Sequence, residues 1–139
     1  MVKIRIYSPG KTKEAWLEAA LQEYIKRLRP KAEIELIHPK NDVQFIEMAL
    51  KEKRLIALDP QGKELTSEAF SLYLFKEIEL GGACLAFAIG AAEGLPEALK
   101  TFPLLSLSRM TFTHQFARLL LIEQIYRAFE IDKGSGYHK

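Results

Sequence analysis

The chain has 139 residues, of which 48% are hydrophobic and 27% are charged, and its formal charge at pH 7 is +2. These values are close to the averages of soluble globular proteins, and no apolar run approaches the ~18 residues of a membrane-spanning helix, so we expect one soluble domain over residues 1–139 with no membrane partner. The mild positive charge is weaker than that of a stand-alone nucleic-acid binder, so composition alone does not indicate RNA.

The first predicted strand runs from Val2 to Ser8 and is followed by a helix. The strand follows Met1 without the basic start and cleavage site of a secretion signal, which predicts a cytoplasmic location. Thr12 is expected to cap the helix, because threonine is a preferred N-cap residue. The helix is expected to bury its apolar positions at four-residue spacing, which are Trp16, Ala20, Tyr24 and Leu28.

Two more strands follow, separated by a short helix. The run from Glu33 to His38 predicts the second strand, and Asn41 or Asp42 is expected to cap the short helix. The run from Arg54 to Asp59 predicts a third strand. Its end is expected at the segment 60–62, where a proline and a glycine interrupt the pattern.

The second half of the chain continues the alternation of helices and strands. A helix is predicted from Ser67 to Leu80, and the nearly continuous apolar run from Ala83 to Ile89 is typical of a central strand that is buried on both faces. The single cysteine, Cys84, lies in this run and is expected to be a small buried hydrophobe. A short helix to Thr101 and a fifth strand from Leu104 to Ser108 complete an α/β pattern with a mostly parallel sheet and helices on both faces.

The final helix, predicted from Thr113 to Ile131, carries apolar residues around much of its circumference. A helix of this kind must be buried on all sides, and one sheet covers only one side of it. A two-fold related copy of the chain is the commonest second partner, so we expect a homodimer. The alternative is that the layers of one chain bury the helix. The apolar positions are Phe116, Leu119, Leu120, Leu121, Ile122, Ile125, Tyr126, Phe129 and Ile131.

Three predicted strands end in small or backbone-permissive residues, after Leu58, at Gly90 and after Leu107. Ligands of open parallel sheets bind beyond such carboxyl ends. The phosphate-binding glycine motifs of nucleotide hydrolases and dinucleotide enzymes are absent, and so is a serine-hydrolase elbow. We expect no metal site, because the three histidines are far apart and no clustered ligand spacing occurs.

Ordered motifs along nearly the whole chain resemble the RlmH (YbeA-like) family of large-subunit ribosomal RNA methyltransferases, a compact branch of the SPOUT class. The match is strongest in the C-terminal third of the chain. The motifs are Ile4-Arg5-Ile6, Pro9-Gly10-Lys11, Glu23-Tyr24, Lys26-Arg27-Leu28, Leu58-Asp59, Gly62-Lys63, Ser67, 107–112 (LSRMTF), His114-Gln115, Ala117-Arg118, 123–128 (EQIYRA) and Tyr137-His138-Lys139.

The resemblance implies that the C-terminal part of a parallel α/β sheet is threaded into a trefoil knot. It also implies that the three strand-end loops hold S-adenosylmethionine (SAM) in a bent form. An adenine ring needs apolar walls and main-chain hydrogen bonds more than charged side chains, which suits these residue types. The implied cofactor residues are Leu58, Gly90, Gly94, Leu107, Ser108, Arg109, Met110, Thr111 and Phe112.

The reaction implied by the resemblance is methylation of N3 of a pseudouridine in the helix 69 loop of 23S rRNA. The N3 imide must lose its proton, which an imidazole near neutral pH is able to accept. The matching tail residues His138 and Tyr137 are therefore the catalytic candidates, although a terminal segment of this kind is often only a frayed end. His114, Arg118 and Lys139 are the candidates for contact with RNA. A small, weakly basic protein makes few phosphate contacts, so we expect the substrate to be rRNA within the assembled ribosome.

One residue departs from the pattern of the family, which has two adjacent glycines where this chain has Gly90 and Ala91. A methyl group at position 91 is compatible with the loop only if φ is negative. A catalytically weakened ribosome-binding or RNA-binding module of the same fold therefore remains an alternative. An unrelated flavodoxin-like or receiver-like domain is a further one, although Asp59 lacks the acidic companion that a receiver needs.

Overall fold

The computed structural model describes all 139 residues and alternates strands with helices from end to end. A short 3-10 helix, Glu97–Thr101, precedes the last strand. The remaining elements are β1 Val2–Tyr7, α1 Ala15–Leu28, β2 Ala32–Ile37, α2 Asp42–Leu50, β3 Leu55–Glu64, α3 Ser67–Leu80, β4 Cys84–Ala88, β5 Leu104–Ser106 and α4 His114–Lys133. None of the helices is both long enough and apolar enough to cross a membrane.

The five strands form one sheet in the order β2-β1-β4-β3-β5, and every neighbouring pair is parallel. β4 lies in the middle, which confirms the prediction of a central strand from its apolar run. The flavodoxin-like order is 2-1-3-4-5, so the exchanged positions of β3 and β4 contradict that alternative. Because β4, β3 and β5 are adjacent, their carboxyl ends meet at one edge of the sheet.

Helices cover both faces of the sheet, as predicted. The larger core cluster joins α1, α3 and α4 to one face, and the smaller cluster joins α2 and the 3-10 helix to the other. Alternate residues of a strand point to opposite faces, so Phe87 belongs to the first cluster and its neighbours Ala86 and Ala88 to the second. Cys84, at the start of β4, is only half-buried, with the Arg5 guanidinium 3.7 Å from its sulfur.

The predicted start of α1 is wrong, and its buried side is predicted correctly only in part. The N-cap residue is Glu14, not Thr12, and the buried positions are Leu17, Leu21 and Leu28. Trp16 is 57% exposed. Leu28 is buried as predicted, whereas Leu17 and Leu21 take the buried places predicted for Trp16 and Ala20.

The predicted end of β3 at residues 60–62 is also wrong. Leu58 pairs with Leu105, the chain then leaves the ladder, and Lys63 pairs with the same Leu105. A Cβ atom at Gly62 would lie 2.5 Å from the Leu105 nitrogen, so only glycine allows the returning strand to approach β5 this closely. The residues between Leu58 and Lys63 therefore bulge outward at the carboxyl edge of the sheet.

The structure buries much of α4 within its own chain. The helix starts where predicted, and Thr113 is its N-cap, with its hydroxyl accepting a hydrogen bond from the Phe116 nitrogen at 3.2 Å. The helix packs against both α1 and α3, so its apolar circumference does not by itself require a second copy. Phe116 is 43% exposed and stays at the surface. The homodimer and the trefoil knot remain predictions.

Candidate functional site

A cavity of about 510 Å³ lies at the carboxyl ends of β3, β4 and β5. Its volume falls within the range of roughly 300 to 1,000 Å³ that is usual for small-molecule sites. Most of its walls are apolar or small, and Asp59 is the only acidic side chain among them. The implied cofactor residues lining it are Leu58, Gly90, Gly94, Leu107, Ser108, Met110, Thr111 and Phe112.

The loop after β4 makes one wall of the cavity with its main chain. A Cβ atom at Gly90 would lie 2.4 Å from the Gly94 carbonyl carbon, and Gly94 has a φ of +93°. The Gly94 nitrogen donates to the Ala91 oxygen at 2.9 Å and closes the turn. Ala91 does not have a positive φ, so its methyl group is accommodated without backbone strain.

The segment that follows β5 makes a second wall, and serine side chains hold its shape. The Ser106 hydroxyl donates to the Ser108 carbonyl oxygen at 2.9 Å, and the Met110 nitrogen donates to the Ser108 hydroxyl at 3.0 Å. Arg109 does not line the cavity. Its side chain is 91% exposed and pairs with Glu64 at 3.2 Å, so the side chain forms no wall of the cavity, and its assignment as a cofactor residue stays a prediction.

His114, at the start of α4, also lines the cavity. Arg118 donates to the Gln115 Oε1 at 3.4 Å, which leaves the Gln115 Nε2 to donate to His114 Nε2 at 3.3 Å. With Nε2 as an acceptor, the proton of the neutral ring is on Nδ1. Burial lowers the pKa of His114, and the positive charges of Arg118 and Lys13 lower it further.

Arg118, the second predicted RNA residue, is fully buried. Its Nε donates to the Ser8 hydroxyl at 2.7 Å, and its Nη2 donates to the Pro9 carbonyl at 2.7 Å and to the Gly10 carbonyl. A guanidinium enclosed by its own chain is not available to RNA, so this assignment is wrong. Sequence reasoning missed Gln115, which joins His114 to Arg118, although the His114-Gln115 motif contains it.

The sequence pattern of the family described as "Predicted SPOUT methyltransferase" matches residues 2–138 of the chain. The match spans all three loops of the cavity and the whole of α4. The chain belongs to the SPOUT methyltransferase family. Full-length relatives refine this placement to the branch suggested by the resemblance.

Two curated relatives are named ribosomal RNA large subunit methyltransferase H. The protein of Protochlamydia amoebophila is 55% identical over the whole length of both chains, and that of Symbiobacterium thermophilum is 38% identical over 99% of this chain and all of its own length. This SPOUT chain therefore belongs to the RlmH branch.

A solved structure shares the fold of this SPOUT chain. It is a Legionella pneumophila protein described as a methyltransferase, solved with SAM bound. Its TM-score is 0.51, its sequence identity is 16%, and the match covers 92% of this chain and 66% of the other. At this identity the likeness bears on the fold alone.

The tail of this SPOUT chain lies on the far half of α4, away from the cavity. The Tyr137 hydroxyl donates to the Glu123 carboxylate at 2.8 Å, and the two ring nitrogens of His138 lie 3.0 Å from Arg127 and from Glu68. An α-helix rises about 1.5 Å per residue, so Arg127 lies about 20 Å along α4 from the cavity end. One chain therefore does not bring the two catalytic candidates to its own cavity.

The packing of the tail against α4 also changes the pKa of Tyr137. Burial raises the pKa of Tyr137, and the neighbouring Tyr24 and Glu123 raise it further, so its phenol stays protonated at neutral pH. Arg127 pairs with Glu123 at 3.0 Å, as their four-residue spacing suggests. Lys139 is exposed beside them. No group of three or more His, Cys, Asp or Glu side chains is arranged to hold a metal ion.

Proposed function

We propose that this protein is a SAM-dependent methyltransferase of large-subunit ribosomal RNA. The carrying observation is the cavity at the carboxyl ends of β4, β3 and β5, with walls from the three loops that the family resemblance assigns to the cofactor. The names of the relatives support an rRNA substrate. The cavity also suits SAM chemically, since apolar and main-chain walls fit adenine and the Asp59 carboxylate favours a cationic ligand.

The proposed reaction is methylation of N3 of a pseudouridine in the helix 69 loop of 23S rRNA. SAM supplies an activated methyl group, so the work left to the protein is to position the base and to assist the loss of the N3 proton. His114 is a neutral ring in the cavity wall, and its Nδ1–H is suited to donate a hydrogen bond to a carbonyl oxygen of the imide. Such a bond stabilises the negative charge that develops when the proton leaves.

We propose that a second copy of the chain completes the site. In one chain His138 and Tyr137 are far from the cavity, so their catalytic role requires the tail of a partner. Beside the cavity the surface carries large exposed apolar side chains, with Trp16 and Phe116 in contact at 5.8 Å between ring centroids. Met110 is 75% exposed in the same region. A homodimer that covers this face removes apolar surface from water and brings the two halves of the site together.

The oligomeric state tests this part of the proposal. We expect the wild-type protein to sediment as a dimer at micromolar concentration and Trp16→Glu to sediment as a monomer. Leu72→Glu is the matched control, because Leu72 is 78% exposed on α3 and does not line the cavity. A monomeric wild-type protein with full methyl transfer would contradict the dimeric site.

The substrate is best tested by comparing RNA in two states. Methyl transfer from labelled SAM should be efficient on assembled ribosomes that lack the modification and poor on naked rRNA, because few phosphate contacts are available to select one nucleotide in free RNA. This substrate also implies a cytoplasmic location. Equal activity on naked rRNA would contradict the requirement for the ribosome, and methylation at another atom would contradict the assignment of N3.

The alternative is a ribosome-binding module that has lost turnover, which Ala91 first suggested. The permitted φ of Ala91 removes the steric reason for this alternative. Calorimetry separates the two, because failure to bind SAM at millimolar concentration would favour the module.

A further inference from the structure

We propose that the loop between β1 and α1, residues 8–14, is part of the RNA-binding surface, with Lys11 and Lys13 contacting phosphates and with Arg118 and Gln115 as positioning residues. This inference rests on the proposed function, because it takes rRNA as the substrate. It adds a basic loop that is distinct from the cofactor loops and from the tail.

The first support is the setting of Arg118, whose hydrogen-bond acceptors are all neutral. They are two hydroxyl groups, the Gln115 side-chain oxygen and the main-chain carbonyls of three consecutive loop residues, 8–10. Burial lowers the pKa of Arg118. Removing a charge from water is costly, and apolar replacements of buried charged groups are often no less stable. What Arg118 adds that an apolar residue does not is a fixed loop conformation.

The second support is that the loop is attached to the element that lines the cavity. Arg118 and Gln115 lie on α4, whose first turns provide His114 and Ala117 to the cavity wall. The Gln115 Nε2 donates to the Lys11 carbonyl oxygen at 3.2 Å, and the Thr12 hydroxyl accepts from Arg118 at 3.1 Å. The loop backbone and the cavity entrance therefore form one hydrogen-bonded unit.

The third support is that Lys11 and Lys13 are exposed and have no ion-pair partner. Both are exposed, and neither has a carboxylate within ion-pair distance, whereas Arg27 pairs with Glu23 and Lys100 pairs with Glu97. Lys13 directly follows Thr12, whose hydroxyl accepts from Arg118 on α4, and the Lys13 charge lowers the pKa of His114 in the cavity wall. Two free ammonium groups on a fixed backbone are suited to phosphates that flank a nucleotide entering the cavity.

Charge-removing variants test the phosphate contacts. We expect Lys11→Gln and Lys13→Gln each to weaken ribosome binding about two- to five-fold, with SAM affinity unchanged. The slope of log K against log salt concentration should fall by roughly 0.7 to 0.9 for each lysine removed. Lys31→Gln is the matched control, because it removes the same charge from an exposed lysine just before β2. Lys31 lies at the amino ends of the strands, whereas the loop under test lies at their carboxyl ends. Lysine variants with the binding and salt slope of this control would overturn the proposal.

The positioning role of Arg118 is tested with a measurement that a loss of folding stability alone does not change. Arg118→Met and Arg118→Lys should raise KM for ribosomes and lower the salt slope, and adding the two lysine changes to Arg118→Met should have little further effect. A merely structural role would reduce the folded fraction, measured by circular dichroism, and leave the salt slope of the folded protein unchanged. That result would overturn the role of Arg118.

The two proposals fail in different ways. A wild-type protein that methylates no large-subunit RNA would contradict the proposed function, while ribosome binding measured by filter retention would still test the loop. An active wild-type enzyme with lysine variants that match Lys31→Gln would contradict the loop alone.

Discussion

The replacement of Gly90 by alanine is the sharpest test of the cofactor site, because the added methyl group has no room. Its carbon would lie 2.4 Å from the Gly94 carbonyl carbon, 2.6 Å from the Gly94 oxygen and 2.6 Å from the Leu95 nitrogen. All three are main-chain atoms, so no side-chain rotation relieves the contact. Leu95 is buried in the smaller core cluster and resists the movement of about 1 Å that normal packing requires.

Overpacking of this kind costs about 1 to 3 kcal/mol. The chain relieves it by moving residues 94–95, which form the cavity wall. We therefore expect Gly90→Ala to bind SAM about 5- to 150-fold more weakly, since 1.4 kcal/mol corresponds to a factor of ten. Titration calorimetry measures the affinity, and circular dichroism at the same temperature checks that the variant is folded.

Alanine variants of two other glycines separate the effect of a steric clash from the effect of backbone strain. Gly94→Ala meets no atom within 4 Å but places alanine at a φ of +93°, so its expected cost of about 1 to 2 kcal/mol comes from strain alone. Gly136→Ala meets neither obstacle and should match the wild type. A folded Gly90→Ala protein that binds SAM within twofold of the wild type would refute this account of the cavity.

Three further predictions address the loop, the tail and the histidine of the cavity. Ala91→Gly should change SAM affinity by less than twofold, because Ala91 is not strained; a tenfold gain in calorimetry would contradict this. His138→Ala should lower methyl transfer to ribosomes by about 10²-fold or more while SAM affinity is retained, and loss of both would indicate misfolding instead. The pKa of His114 is lowered in the folded protein, so below its ordinary value of about 6.5 the unfolded chain binds a proton that the folded chain does not, and stability falls as the pH falls. Thermal unfolding between pH 5 and 8 should show a smaller loss of stability on acidification for His114→Gln than for the wild type, and equal losses would contradict it.

The successful sequence predictions rest on patterns that are local in the chain. The alternation of strands and helices identified the α/β class, and the apolar run of β4 identified the middle strand, because a strand covered on both faces has no polar side. The three strand-end loops were also recognisable in the sequence. They surround one cavity because the order β4-β3-β5 makes these strands neighbours, which no periodicity shows.

The errors share a physical cause, which is that the deciding contact is distant in sequence. The sequence pattern predicts that Gly62 ends the strand, whereas in the structure Gly62 allows β3 to return to β5 at close approach. The sequence predicts that Thr12 caps α1, whereas in the structure its hydroxyl accepts a hydrogen bond from the guanidinium of Arg118. The Ala117-Arg118 motif and its place on the final helix predict contact with RNA, and only the hydrogen bonds of Arg118 to the loop after β1 show that it is buried.

The amino-acid sequence by itself determined the α/β class, the family and the loops that form the cavity, since these depend on hydrophobic periodicity, glycine positions and ordered motifs. The tertiary structure decided where each side chain points. It turned Arg109 outward and Arg118 inward, and it placed His138 about 20 Å along α4 from the cavity. The contacts that fix these orientations join residues 45 to 110 positions apart, Arg109 with Glu64, His138 with Glu68 and Arg118 with Ser8, so local sequence patterns do not reveal them.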